Sequence, residues 1–133
     1  MILIIASQFD KSGKNVVKSL LQSAEKKLKS LGEIYEIIRV PGAIEIPIAA
    51  QKYIRSQKPT VVLALGCVIK GETDHYEYVL NACREGLVRV SLDEGVPIIH
   101  GILACLNKEQ AEARKNDGAQ YADTAIAMKK LLS

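Results

Sequence analysis

Thr60-Val61-Val62-Leu63-Ala64-Leu65-Gly66 is a continuous apolar run, rich in β-branched side chains, set between Pro59 and a glycine. A strand wet on one face would alternate apolar with polar residues, so this run reads as a strand covered on both faces. Working outward, Ile2–Ser7 has the same character at the start of the chain. Ile34–Val40 mixes Ile, Tyr and Val before Pro41-Gly42 breaks it, and Ile98–Leu103 follows the punctuation of Gly95 and Pro97.

Helical periods fill the intervals. Val16, Val17, Leu20, Leu21, Ala24, Leu28 and Leu31 keep three-to-four spacing, with Asp10 or Ser12 as a cap and Gly32 as a stop. Pro47 suits the first turn of a helix reaching about Gln57, which Lys58-Pro59 ends. A loop over Cys67–Asp74 leads to a helix from His75 to Asp93, striped by Val79, Leu80, Cys83, Leu87 and Val90. Asn107 caps a short helix over Lys108–Lys115, and a last helix covers Ala119–Leu132. Strands joined by helical crossovers form a parallel sheet with helices on both faces. The expected fold is a three-layer α/β/α, doubly wound, flavodoxin-like sheet of four strands, a single domain over residues 1–133.

Composition narrows the function. Of 133 residues, 48% are hydrophobic and 25% charged, which are globular values and argue against disorder. The net charge is only +3, and the densest basic run, Glu25-Lys26-Lys27-Leu28-Lys29, reads as a solvated helix face. One Phe, five Tyr and no Trp are too few rings for a nucleic-acid stacking surface. No apolar stretch is long enough to span a bilayer, and Met1-Ile2-Leu3-Ile4-Ile5 lacks the basic start of a signal peptide. Cys67, Cys83 and Cys105 are widely spaced, which suits neither a disulfide framework nor a zinc site. The expectations are a reducing, cytoplasmic setting and no nucleic-acid or membrane partner.

Doubly wound sheets bind ligands beyond the carboxyl ends of their strands. The segments to search are therefore Ser7–Asp10, Pro41–Glu45, Gly66–His75 and Leu103–Asn107. In the third, Gly71-Glu72-Thr73 stands just ahead of a helix, where free N–H groups, a hydroxyl and a positive dipole end can hold a phosphate. His75 stands beside it, and an imidazole can give and take protons; the plain alternative is a capped helix start. The loop does not match the nucleotide-binding pattern G-x-x-x-x-G-K-[ST]. Glu45, just before Pro47, can accept hydrogen bonds from a polyol or else serve the helix end. Phe9, after the first strand, can stack on a flat heterocycle or simply pack. Arg114, among Glu109, Glu112 and Lys115, reads alone as a surface ion-pair former, and His100 as a strand residue. Residue chemistry reaches a parallel α/β domain with a small anionic ligand, and no named reaction.

Taken together, Ser7-Gln8-Phe9-Asp10, Val40-Pro41-Gly42-Ala43-Ile44-Glu45-Ile46-Pro47, the run Gly66–His75, Gly101-Ile102-Leu103, and Glu109-Gln110-Ala111 with Arg114 resemble the lumazine synthase family. The likeness runs from Ile2 to Leu132. It implies condensation of 5-amino-6-(D-ribitylamino)uracil with 3,4-dihydroxy-2-butanone 4-phosphate to 6,7-dimethyl-8-ribityllumazine, with no metal or organic cofactor. It implies Phe9 stacked on the pyrimidine, Ala43 and Ile44 in backbone contact, and Glu45 on the ribityl hydroxyls. Val68 and Ile69 would read the ring's edge, while Gly71, Glu72, Thr73 and Arg114 would bind phosphate. His75 would move protons.

The likeness also implies a homopentamer with sites between adjacent subunits, either free or packed twelve at a time into an icosahedral shell. Direct entry into the first core strand and the short turn from Arg114 to Gly118 favour the free pentamer. His100 stands where an aromatic usually reaches a neighbour's site, and Ala104 and Cys105 where hydroxyl residues are common. The lysine often found after Arg114 has no clear counterpart, Gln120 being nearest. Two rival readings follow: a non-catalytic lumazine- or flavin-binding protein, and the related archaeal-type riboflavin synthase, for which a phosphate loop would be pointless.

Overall fold

In a computed structural model, which describes residues 1–10, 12 and 15–133, strands and helices alternate as the apolar runs and periods require. The strands are β1 (Ile2–Ser7), β2 (Tyr35–Val40), β3 (Val61–Ile69) and β4 (Ile98–Cys105). The helices are α1 (Val16–Ser30), α2 (Ile46–Gln57), α3 (His75–Glu94), α4 (Lys108–Ala113) and α5 (Gly118–Leu132), with a 3-10 turn over Ala43–Glu45. All strand pairs are parallel and the order is β2-β1-β3-β4, the three-layer α/β/α arrangement expected.

The continuous apolar runs are explained by burial on both sides. Ile2, Ile4 and Ala6 join Val61, Leu63 and Leu65 in a core with α1 and α5. Leu3 and Ile5 join Val62 and Ala64 in a second core with α2 and α3. At about 25 cal/mol per Å² of apolar surface removed from water, these two cores dominate the stability. Helix ends follow local chemistry. Asp10 Oδ2 accepts from the Val17 N–H at 2.8 Å and Oδ1 from the Ser12 N–H at 2.9 Å, so the carboxylate serves the first turn of α1. Gly32 and Gly95, at φ 69° and 68°, supply left-handed stops after α1 and α3. Arg55 grips Glu94 with two bonds of 3.0 Å, tying α2 to α3.

One expected boundary is corrected. The loop placed at Cys67–Asp74 begins only at Lys70, because β3 continues through Cys67, Val68 and Ile69. Gly66 does not stop the strand: it pairs with Ile102, and the ladder goes on to Ile69 opposite Cys105. The strand is thereby carried to the rim of the sheet. Among the described residues, no helix is long and apolar enough to cross a membrane.

Candidate active site

The chain passes from β1 to β2 on one side of β1 and then returns to place β3 on the other. The crevice at that switch, beyond the carboxyl ends of the strands, is where such sheets take ligands. A cavity of about 600 Å³ opens there, walled by Gln8 and Phe9 after β1, Pro41–Glu45 after β2, Cys67–Ile69 of β3, and His75, Tyr76 and Val79 of α3. Its surroundings are largely apolar, with Gln8, Glu45, His75 and Tyr76 as the polar side chains.

Phe9 is held by its backbone. Its N–H donates to Pro41 O at 2.9 Å, the Gln8 N–H donates to Val40 O at 2.6 Å, and Ser7 Oγ donates to Phe9 O at 3.3 Å. These bonds clamp the loop after β1 to the loop after β2 and leave the ring 60% exposed at the cavity. A large apolar side chain fixed in the open, facing a pocket, is the arrangement for stacking on a flat ligand. Glu45 ends the 3-10 turn, where its N–H donates to Gly42 O at 3.2 Å. A β-carbon on Gly42 would stand 3.1 Å from Glu45 Oε1, so the bare glycine leaves room for the carboxylate. Glu45 makes no side-chain cap bond to α2. Its carboxylate is thus free of a cap hydrogen bond, although it still stands at the positive end of α2.

Beyond Ile69 the chain turns through Lys70–Asp74 into α3. Thr73 Oγ1 accepts from the His75 N–H at 3.3 Å, a local cap that leaves the hydroxyl proton free to donate. Gly71 has nothing within 4 Å of where a β-carbon would sit and no left-handed backbone. The fold itself therefore does not demand glycine there. His75 is exposed and lines the cavity from the first turn of α3. Cys67 is buried, and desolvation, with Asp10 adding to it, pushes its thiol up to about 12. It stays protonated and serves as packing rather than as a nucleophile. Among the described residues, no trio of His, Cys, Asp or Glu could hold a metal ion.

The sequence profile of 6,7-dimethyl-8-ribityllumazine synthase matches residues 1–133. The chain belongs to this family. It is 46% identical over 102 residues to the 6,7-dimethyl-8-ribityllumazine synthase of Stenotrophomonas maltophilia (strain R551-3), covering 73% of this chain and 66% of that protein, just under two thirds of its length. The enzyme of that name from Coxiella burnetii (strain RSA 493 / Nine Mile phase I) is 41% identical over 139 aligned positions, covering 98% of this chain and 90% of the relative. Its namesake from Xanthomonas euvesicatoria pv. vesicatoria (strain 85-10) is 40% identical, with 97% and 87% covered.

Of the residues that the likeness to lumazine synthases singled out, the fold brings Phe9, Ala43, Ile44, Glu45, Val68, Ile69 and His75 to one cavity. Gly71, Glu72 and Thr73 stand exposed in the loop leading into His75. His100 and Arg114 lie elsewhere in the chain. His100 pairs with Ala64, four residues short of Val68 and so roughly 13 Å down the sheet. There partial burial, with Arg84 adding to it, holds its imidazole pKa below the usual value. Arg114 follows α4, whose Ala111 is packed into the α1/α5 core. Its Nη1 donates to Gln110 O at 2.9 Å, and it does not line the cavity.

Gln8, Tyr76 and Val79 also line the cavity and were not singled out from sequence. A signal for two of them was present. Val79 lies four residues after His75 and three after Tyr76, so one helical face carries all three toward the same space.

Proposed function

We propose that this chain condenses 5-amino-6-(D-ribitylamino)uracil with 3,4-dihydroxy-2-butanone 4-phosphate, giving 6,7-dimethyl-8-ribityllumazine, phosphate and water. The observation that carries the reading is the convergence, in one cavity, of an exposed Phe9 ring, an uncapped Glu45 carboxylate and His75 beside an N–H-bearing loop.

Each group has a task that its chemistry allows. Phe9 stacks on the pyrimidine while the backbones of Ala43, Ile44, Val68 and Ile69 meet its polar edges. Glu45, an acceptor when ionised, takes hydrogen bonds from the ribityl hydroxyls. Gly71, Glu72 and Thr73 offer backbone N–H groups and one hydroxyl to the phosphate at the positive end of α3. The substrate amine is already a nucleophile, so aligning the two reactants supplies much of the rate. Imine formation, phosphate elimination and ring closure then shuttle protons, which His75 gives and takes. The reaction calls on no metal or organic cofactor.

Arg114 and His100 enter this scheme from other copies of the chain. Both are exposed, and both lie away from their own subunit's cavity. A head-to-tail ring presents such surfaces to the next subunit's site and closes on itself. The proposed assembly is the pentamer of the family, with the shell as its larger alternative, and light scattering separates the two. Three free buried thiols suit the cytoplasm as its place of work.

The test is to mix purified protein with both substrates and follow lumazine absorbance against a protein-free blank, since the two can condense unaided. Product above the blank that depends on the phosphorylated substrate supports the synthase. Tight binding of lumazine without turnover would replace it with the binding-protein reading.

A further inference from the structure

Lys70 stands at the hinge between β3 and the phosphate loop. Its N–H donates to Cys105 O at 2.9 Å, so the ladder between β3 and β4 extends one residue past Ile69. Along this stretch Cys67 and Ile69 belong to the core under α1 and α5, whereas Val68 belongs to the core under α2 and α3. Strand side chains alternate with a period of two. Lys70 therefore falls on the side of Val68, between the cavity-lining Ile69 and Gly71, and it is exposed. Among the described residues, no carboxylate stands within ion-pair reach of its ammonium.

The segment that follows is acidic. Glu72, Asp74 and Glu77 are all exposed, and between Lys70 and Arg84 the only other group able to carry positive charge is His75. A phosphate dianion resting on the N–H groups of residues 71–73 would meet these carboxylates. Backbone dipoles alone oppose that repulsion weakly in a solvent-screened loop. Arg114 of the same chain is bonded to Gln110 O and does not line the cavity. On the reading proposed above, we infer that Lys70 is the cation that each subunit itself supplies to the substrate's phosphate, and so a specificity-determining residue for the phosphorylated ketone. A flexible ammonium acts as a point charge there and does not need the fork geometry of a guanidinium.

Lys70→Ala and Lys70→Arg separate this role from a structural one. In Lys70→Ala, KM for the butanone phosphate should rise about 10-fold, a typical effect of losing one charge-assisted hydrogen bond. Both kcat and KM for the ribitylamino-uracil should stay within about twofold, and Lys70→Arg should restore most of the loss. Inorganic phosphate, used as a probe of the same loop by calorimetry, should bind the parent and bind Lys70→Ala about 10-fold more weakly. Unchanged KM and unchanged phosphate affinity overturn the inference, as does a fall in kcat alone or a parent that binds no phosphate. A parent that binds phosphate through Lys70 but forms no lumazine would sink the proposed reaction and leave the Lys70 assignment standing.

Discussion

Gly86 of α3 lies so close to Pro47 of α2 that a β-carbon on it would stand 2.8 Å from both Cβ and Cγ of the proline ring. Pro47 opens α2 two residues after Glu45, and Gly86 sits about three turns along α3 from His75. This contact therefore sets how deeply the amino end of α2 settles against α3, and with it the wall that carries Glu45. Gly86→Ala should push the two helices apart and destabilise the protein by about 1–3 kcal/mol, the usual cost of overpacking. A lower melting temperature and a raised KM for the ribitylamino-uracil are expected. A variant matching the parent in both would show that the helix pair adjusts freely.

Much of this architecture is legible in the chain, and the exceptions have physical causes. Ile2–Ser7 and Val61–Leu65 read as doubly covered strands because both faces are in fact packed. Gly66 misleads as a strand end: the hydrogen bonds of β4 hold the chain extended past it, a tertiary effect that outweighs local preference. Glu45 leaves two readings open in sequence, since cap and ligand acceptor require the same carboxylate. The fold adds that this carboxylate makes no side-chain cap bond and faces the cavity. The separation of Arg114 from the cavity is not legible in the residue pattern, and that of His100 is anticipated only by the family likeness, which sets its counterpart in a neighbour's site. Periodicity tells which residues share a sheet face, but not which helices cover that face, nor what another copy of the chain brings to it.

His75 is exposed, so its removal should leave the core intact and test chemistry. In His75→Ala, kcat should fall roughly 10- to 100-fold, at or below the low end of general acid–base effects, because proximity and the intrinsic amine nucleophile remain. The KM values should move little. Rates measured against the protein-free blank decide it. A folded variant with no rate above the blank would make the imidazole obligatory to the reaction.

The proposed sharing of sites between subunits predicts complementation. On that proposal, His75→Ala should damage the site around a subunit's own cavity, whereas Arg114→Ala should damage the site of a neighbour. Arg114→Ala alone should raise KM for the butanone phosphate, leaving kcat closer to the parent's. In mixed rings co-expressed from both variants, about a quarter of the interfaces join two undamaged contributions, given one heterologous contact per site. Activity at low butanone phosphate should recover toward that fraction of the parent's, above either variant alone. Mixed rings no more active than the mean of the two variants would place both residues in one chain's site.

His100 couples stability to pH. Its imidazole is held below its ordinary pKa of about 6.5 first by partial burial and then by the Arg84 guanidinium on α3. The folded chain thus resists a proton that the unfolded chain accepts. Well above pH 6.5 both states are neutral there and nothing is lost. As pH falls below that value the unfolded state gains protons first, and stability declines until the folded imidazole also titrates. His100→Phe removes this term and keeps a flat ring on the edge strand. The drop in melting temperature between pH 7.5 and pH 5, set by roughly one proton in this term, should be smaller in the variant than in the parent. The same drop in both proteins would mean that the folded chain protonates His100 as readily as the unfolded one, and that the charge of Arg84 has no energetic consequence there.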